Sequence, residues 1–391
     1  MPSATPAVPP RPLEVGDIVI APNDLLGEWT AAQITADIDP AWKKVGVLEL
    51  DWSGPEPDSV DVLRGTRPLR LTHHAWRGGL SHCNCDWVLP RSYRVIGNLP
   101  LLHDRRSNSY TSLWHLGDQL FHQRTWDRGV RDWSDPAALE LSGPELADAL
   151  SAGSPGRGSD VRRLMATGIK TVDADRLVDV YPNLTSLTLG GNLGQLVNAA
   201  SLNRLSSLRE LSINNLFGMS SADCLLPDET RALEFLGLHS IPREYAVAMR
   251  SRWRAEIAHG TSLEITGARK PEWVQENLNN PLRDWDGRDH ISSARFKKAV
   301  AQFKQTRRAI LALLDEPDDA TRLGRLTQLG RDYGAAFNRL DGRSPFIETE
   351  ERDELYTALE AVLDESEQAT GRALSTERAA LLTGVDDVRE W

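Results

Sequence analysis

Cysteine is scarce in this chain of 391 residues, with only Cys83, Cys85 and Cys224. An odd and small number excludes a disulfide-built scaffold, so reduced thiols are the simpler expectation. No run of 18 apolar residues is found and no leader pattern opens the chain. Neither a membrane-spanning helix nor a secretion signal is therefore expected, and a cytoplasmic location follows as the default. Positive charge is short as well. Lys and Arg number 45 against 56 Asp and Glu, a net charge of −11. That disfavours general attraction to nucleic acid or to an anionic membrane, although a local basic patch remains open. The chain also lacks a nucleophile elbow, a kinase motif set, an H-E-x-x-H pair and a dinucleotide fingerprint. The commonest sequence signatures of catalysis are thus missing.

What is present is a repeat. Three segments share one leucine pattern: Leu184-Thr-Ser-Leu187-Thr-Leu189-Gly-Gly-Asn192, Leu208-Arg-Glu-Leu211-Ser-Ile213-Asn-Asn-Leu216 and Leu233-Glu-Phe-Leu236-Gly-Leu238-His-Ser-Ile241. Their L-x-L cores have period two, so both leucines point to one face of a short strand and the residue between them points to the other. One such unit cannot bury its apolar face alone, and stacked units form a continuous core beneath a short parallel sheet. A weaker fourth strand is read at Ser262–Ile265. A preceding unit is read at Ile169–Val172 with a helix over Ala174–Val180. The spacing of roughly 25 residues and the L-x-x-L-x-L-x-x-[N/L/I] pattern resemble the leucine-rich repeat superfamily over residues 160–268. The resemblance implies an α/β solenoid whose outward strand positions bind a protein partner. It carries no activity.

The region before the repeats is read as β-rich. Strands are predicted at Val15–Ala21, Trp29–Thr35 and Val45–Trp52, with turns at Gly27 and Ser53-Gly54-Pro55. The layout resembles the start of an SH3-like or Tudor-like barrel. Trp29 and Trp52 are then either surface aromatics for a peptide or, more commonly, core. Ser109–Trp126 predicts a hairpin turning at Gly117-Asp118, and Pro136–Leu150 a short helix. The Gly/Ser/Pro-rich stretch Ser151–Asp160 predicts a linker. After the repeats, apolar residues at helical spacing predict helices over Ile291–Glu316, through Leu323–Phe337 and around Leu355–Leu363. Thr349 is the expected N-cap of the third helix and Ser375 that of a fourth, short one. The domain reading is a lead-in at 1–12, a β-rich part at 13–150 that divides near 60–90 if it is two domains, a linker at 151–160, repeats at 161–270 and a helical bundle at 285–391. The fold class is a multidomain α+β chain.

Candidate chemistry is sparse. His73, His74, His82, Cys83, Cys85 and Asp86 are the densest group of potential metal ligands, and zinc is the ion such a set would take. The spacing is poor, because Cys83 and Cys85 are one residue apart and no second cysteine pair follows. Asp284–Asp289 fails the EF-hand pattern and reads as a turn. The glycines at 190–194 are followed by no Lys-Ser or Lys-Thr and read as a repeat turn. Arg295, Lys297, Lys298, Lys304, Arg307 and Arg308 lie on one predicted helix and offer either a phosphate contact or a salt-bridged face opposite the acidic stretch 348–367.

The expectation for function is a non-enzymatic interaction or scaffold protein. Its candidate contacts are the x positions Ser186, Thr188, Arg209, Ser212, Glu234 and Gly237, and the partner is a protein. Charge reversal at Arg209 and Glu234 is expected to weaken binding and leave folding intact. The alternatives are an enzyme or effector with a metal or catalytic site in the His/Cys-rich segment 73–122, and nucleic-acid binding through the basic helix 295–308. Membrane attachment is not expected. Abundant arginine, alanine and glycine with little lysine resemble proteins of high-GC bacteria.

Overall fold

The computed structural model describes residues 12–39, 43–103, 113–152, 158–317, 319–342 and 344–391. The lead-in before Pro12, and residues 109–112 at the start of the expected hairpin, lie outside these residues. The chain forms two compact units, residues 1–270 and 271–391.

Unit one opens with a five-stranded antiparallel sheet. Its strands are β1 (Asp17–Asn23), β2 (Glu28–Asp39), β3 (Lys44–Gly54), then after the short pair β4 (Arg70–Leu71) and β5 (Gly79–Leu80), β6 (His82–Asp86) and β7 (Arg94–Asn98). The order is β6-β3-β2-β1-β7. Both faces are covered. Val19, Ala21, Ile34, Val47, Cys83 and Cys85 pack with Trp114 and Leu116 on one side. Ile18, Ile20, Ala31 and Leu50 pack with Leu63 and Leu99 on the other. That explains the nearly unbroken buried run of β1, since a strand with two covered faces needs no polar alternation. Trp29 and Trp52 are half-buried against the second cluster.

The expected hairpin at Gly117 is instead the start of a helix, α1 (Asp118–Asp127). Asn23 decides this. Its side-chain amide donates to the Leu116 carbonyl at 3.0 Å and to Asp118 Oδ1 at 2.7 Å, fixing the first helical residue against β1. A local reading of Gly117-Asp118 carries no trace of a partner 95 residues away.

The rest of unit one is a parallel sheet of six strands in sequence order. They are β8 (Ala138–Ser142), β9 (Arg163–Asp173), β10 (Ser186–Val197), β11 (Glu210–Phe217), β12 (Phe235–His239) and β13 (Ser262–Thr266). The helices between them are α2 (Gly143–Ala152), α3 (Ala174–Val180) and α4 (Arg243–Trp253), with 3-10 turns elsewhere. The short helix expected in Pro136–Leu150, with Pro144 near its start, forms from Gly143 as α2, whereas Ala138–Ser142 ahead of it is the strand β8, which pairs with β9 in register Leu139 to Leu164. Of the expected linker 151–160, residues 151–152 end α2, 158–160 form a 3-10 turn ahead of β9, and 153–157 lie outside the described residues. One core runs through the repeat leucines 184, 187, 189, 208, 211, 233, 236 and 238, all at most 1% exposed. Tyr245, Met249 and Trp253 of α4 close it, and the Trp253 indole donates to the Leu225 carbonyl. Full burial of each leucine stabilises by about 1.5–3 kcal/mol.

Unit two is helical, with α5 (Pro271–Asn277), α6 (Ser293–Asp315), α7 (Arg322–Asp341), α8 (Thr349–Thr370) and α9 (Ser375–Asp386). Trp285, Phe303, Tyr333, Phe337, Leu355 and Leu359 are central to its core. Helices α7 and α9 touch backbone to backbone. A Cβ on Gly330 would stand 2.0 Å from the Leu381 carbonyl oxygen, and one on Gly384 2.0 Å from that of Thr327. Two expected caps shift by one residue. Glu348, not Thr349, caps α8 through reciprocal bonds with Glu351, and Ser375 is the first residue of α9 after Leu374. No helix among the described residues is long and apolar enough to cross a membrane.

Candidate recognition face and its flanks

The face of the parallel sheet opposite the leucines is set by register. One rung crosses it as Glu140, Met165, Thr188, Ser212, Gly237 and Glu264. A second rung, toward the leading ends of the strands, holds Arg163, Ser186, Glu210, Phe235 and Ser262. The central side chains are small and half-exposed. Met165, 40% exposed, borders them on one side. The Phe235 ring borders them on the other and lies over Gly237, whose added Cβ would meet it at 2.8 Å. Ser186 donates to Glu210 at 3.0 Å, tying adjacent strands on the same face.

Of the six expected contacts, Ser186, Thr188, Ser212 and Gly237 stand on this face. Arg209 and Glu234 sit one position earlier, where the chain enters the sheet. There Glu234 Oε1 accepts from the Ser92 backbone N–H at 2.8 Å. Burial pushes its carboxyl above the ordinary value against the pull of Ser92 and Arg209. Glu234 is thus a contact within the chain. Strand parity carried the better signal: counting back by two from Ser212 and Gly237 reaches Glu210 and Phe235.

The segment 86–93 of the antiparallel sheet region seals this corner. Arg91 donates to the Arg231 carbonyl and the Thr261 hydroxyl, both at 2.5 Å, and pairs with Glu256 at 3.2 Å. Ser262 donates to Asp86. Gly260, at φ +92°, allows the approach, because a Cβ there would lie 2.7 Å from the Leu89 carbonyl oxygen. Beside the sealed corner a cleft of about 590 Å³ stays open. Asp24, Asp135, Arg162, Arg163, Thr185 and Arg209 help to line it.

The six potential metal ligands of segment 73–86 separate into different surroundings. His73 Nδ1 lies 3.0 Å from His74 Nδ1. The His82 ring meets the Thr35 hydroxyl at 2.7 Å. Cys83 and Cys85 are buried with sulfurs 3.7 Å apart, and Asp86 accepts from the Val88 N–H and from Ser262. Among the described residues no three His, Cys, Asp or Glu groups come together as a metal site. Alternation along β6 turns His82 and Asp86 away from Cys83 and Cys85, and His73 and His74 lie in the turn between β4 and β5.

Long-range pairing creates a different polar site that the sequence did not announce. Glu49 on β3 accepts from the Ser81 hydroxyl at 2.7 Å and from the Gly117 N–H at 2.9 Å. It lines a cavity of about 230 Å³ with Cys83, Cys85, Trp114, His115 and His122. Burial raises its pKa to about 7, against the two hydrogen bonds and with a further push from Asp118. The Cys83 contact and burial hold the Cys85 thiol protonated.

On α6, Arg295 and Arg307 are engaged by other parts of unit two, and Arg308 donates to the Lys304 carbonyl within the helix. Arg295 donates to the Ser344 carbonyl and stands over the Phe346 ring, and Arg307 pairs with Glu365 at 2.6 Å. Lys297, Lys298, Lys304 and Arg308 are exposed. Comparison with family models, with curated proteins and with solved structures returned no match to the chain.

Proposed function

We propose that the chain is a non-enzymatic recognition protein that binds a protein partner through the outward face of the parallel sheet. On this reading residues 161–270 are a short leucine-rich repeat array, and the antiparallel sheet is an SH3- or Tudor-like module packed onto one end of it. The carrying observation is the rung Met165, Thr188, Ser212 and Gly237: small side chains in strict register, flanked by an exposed methionine and the Phe235 ring. Small residues let another backbone come close, and a thioether and an aromatic ring supply adaptable and rigid apolar area respectively. The centre of that rung carries no charged side chain, which suits close contact with another protein's backbone and apolar groups.

The test is a Thr188→Arg/Ser212→Arg variant, which crowds the face without touching the core. Both positions are half-exposed and paired across neighbouring strands, so two arginines there repel each other, and a thermal melt of the variant checks its fold. Cross-linking in cells of the producing organism, read by mass spectrometry, should give partners with the wild type that the folded variant loses. An unchanged set of partners would remove the face from the mechanism. The nucleic-acid reading of α6 is less favoured, because Arg295 and Arg307 already have internal partners.

A further inference from the structure

We propose that the leading ends of β9, β10 and β11 form an oxyanion site that takes a phosphorylated side chain of the protein partner. This rests on the reading of the sheet as a recognition face and names what the partner carries.

Residues 162, 185, 209 and 234 occupy equivalent positions on successive strands. Thr185 N–H donates to the Arg162 carbonyl at 2.8 Å, Arg209 N–H to that of Thr185 at 2.7 Å, and Glu234 N–H to that of Arg209 at 2.7 Å. Each step is one strand spacing of about 4.8 Å, so Arg162 and Arg209 flank Thr185 at roughly 10 Å from each other. Arginine side chains are long enough to span that gap from both sides, and the Thr185 hydroxyl, which donates to the Arg162 carbonyl at 3.1 Å, stands at the strand between them. Ser206 and Ser207 add exposed hydroxyls on the wall of the same cleft.

The charges here are unequally used. Arg163 is bound to Asp135, whose side chain is only 12% exposed. Arg209 has a loose partner, Asp24 at 3.8 Å, with both side chains open to solvent. The Arg162 guanidinium meets the carbonyls of Ser159 and Asn183 at 3.3 and 3.2 Å and, among the described residues, no carboxylate. Glu234, the next acid along the ladder, is held by Ser92. Among the described residues, Arg162 and Arg209 therefore face one cleft opposed by the loose Asp24 pair and by the pull of Glu234 on Arg209, in a chain of net charge −11. General attraction of anions is weak in such a protein, so a local pair has to act through geometry. Planar guanidinium forks suit the tetrahedral oxygens of a phosphoryl group, and its near-double charge can engage two of them at once. A carboxylate is satisfied by a single fork. Releasing Asp24 to water costs little, since an exposed pair at that distance is worth well under about 1 kcal/mol.

The test is titration calorimetry of the full chain with inorganic phosphate, O-phospho-L-threonine and L-glutamate as probes. Phosphate and phosphothreonine should bind with Kd of about 1 mM, weakening as salt rises, and glutamate should give no signal. Arg162→Ala and Arg209→Ala should each weaken binding about tenfold, while Arg209→Lys keeps the charge and recovers part of it. Thermal melts of each variant check the fold. No binding of phosphate by folded wild type overturns the site, as does equal binding of glutamate or unchanged affinity in the Arg162→Ala/Arg209→Ala variant. The Thr188→Arg/Ser212→Arg variant separates the two readings. If it loses its partners while the wild type ignores phosphate, the oxyanion site alone falls. If it keeps its partners while phosphate still binds through the arginines, the recognition face alone falls.

Discussion

Replacing Glu49 with glutamine should expose an acid sensitivity that the wild type conceals. Glu49 and His82 are both buried, on paired strands β3 and β6, and burial moves their proton affinities in opposite directions. Glu49 is raised from 4.5 to about 7. Its contribution to stability is therefore fully present below pH 4.5 and is lost as pH rises through 7. His82 is lowered from 6.5 to about 4, by burial first and by the neighbouring His103 second. Its contribution is present above pH 6.5 and is lost as pH falls through 4. Each shift spans two to three pH units, or roughly 3 kcal/mol at about 1.4 kcal/mol per unit. Between pH 4.5 and 6.5 the two run against each other and largely offset. Glu49→Gln removes one arm. The variant starts lower at every pH, because the amide cannot accept from both Ser81 and Gly117. The informative quantity is the slope. Urea unfolding from pH 4 to 7.5 should show Glu49→Gln falling behind wild type by about 3 kcal/mol more at pH 4.5 than at pH 7.5. His82→Asn should tilt the other way, growing more stable relative to wild type as pH falls. Parallel pH profiles for wild type and Glu49→Gln would refute the assignment of a raised Glu49 and the offset built on it.

Other perturbations test the packing. Leu211→Ala, at a fully buried core position, should cost about 2–5 kcal/mol in denaturant unfolding, in the range of leucine truncations that leave a cavity. Gly260→Ala places a Cβ against Leu89 and Arg91 at a left-handed backbone position. Faster proteolytic cutting near residues 86–93, with the leucine core intact, is the expected sign of a loosened corner. Glu234→Lys should do the same, since it loses the bond from Ser92, whereas Arg209→Gln, which gives up an exposed pair with Asp24, should cost under about 1 kcal/mol. Arg288→Ala strips the guanidinium that Glu350, Glu351 and Glu354 share. It should cost about 3 kcal/mol at pH 7, and the cost should shrink as pH falls, because against the push of burial Arg288 holds the Glu351 carboxyl below its ordinary value.

The sequence by itself determined the elements whose signal is local and periodic. The L-x-L cores of β10, β11 and β12 announce both the strands and their buried face, because alternate residues must point the same way and leucine must leave water. The long helices α6, α7 and α8 follow from apolar residues at helical spacing, and the strands of the first sheet from β-branched runs broken by Gly and Pro. Tertiary structure decided what depends on distant partners. Gly117-Asp118 starts a helix because Asn23 reaches Asp118, and Ala138–Ser142 is a strand because the edge of β9 was there to pair with it. Glu234 reads as a surface residue until Ser92 arrives to cover it. His73 to Asp86 reads as a cluster until the alternation of β6 and its neighbours sends the side chains to different surroundings. Glu49, Ser81 and Gly117 meet across the fold and leave no pattern along the chain. Short-range periodicity is written in one dimension, whereas burial, proton affinity and the pairing of charges arise when segments far apart in the chain come to share the same volume.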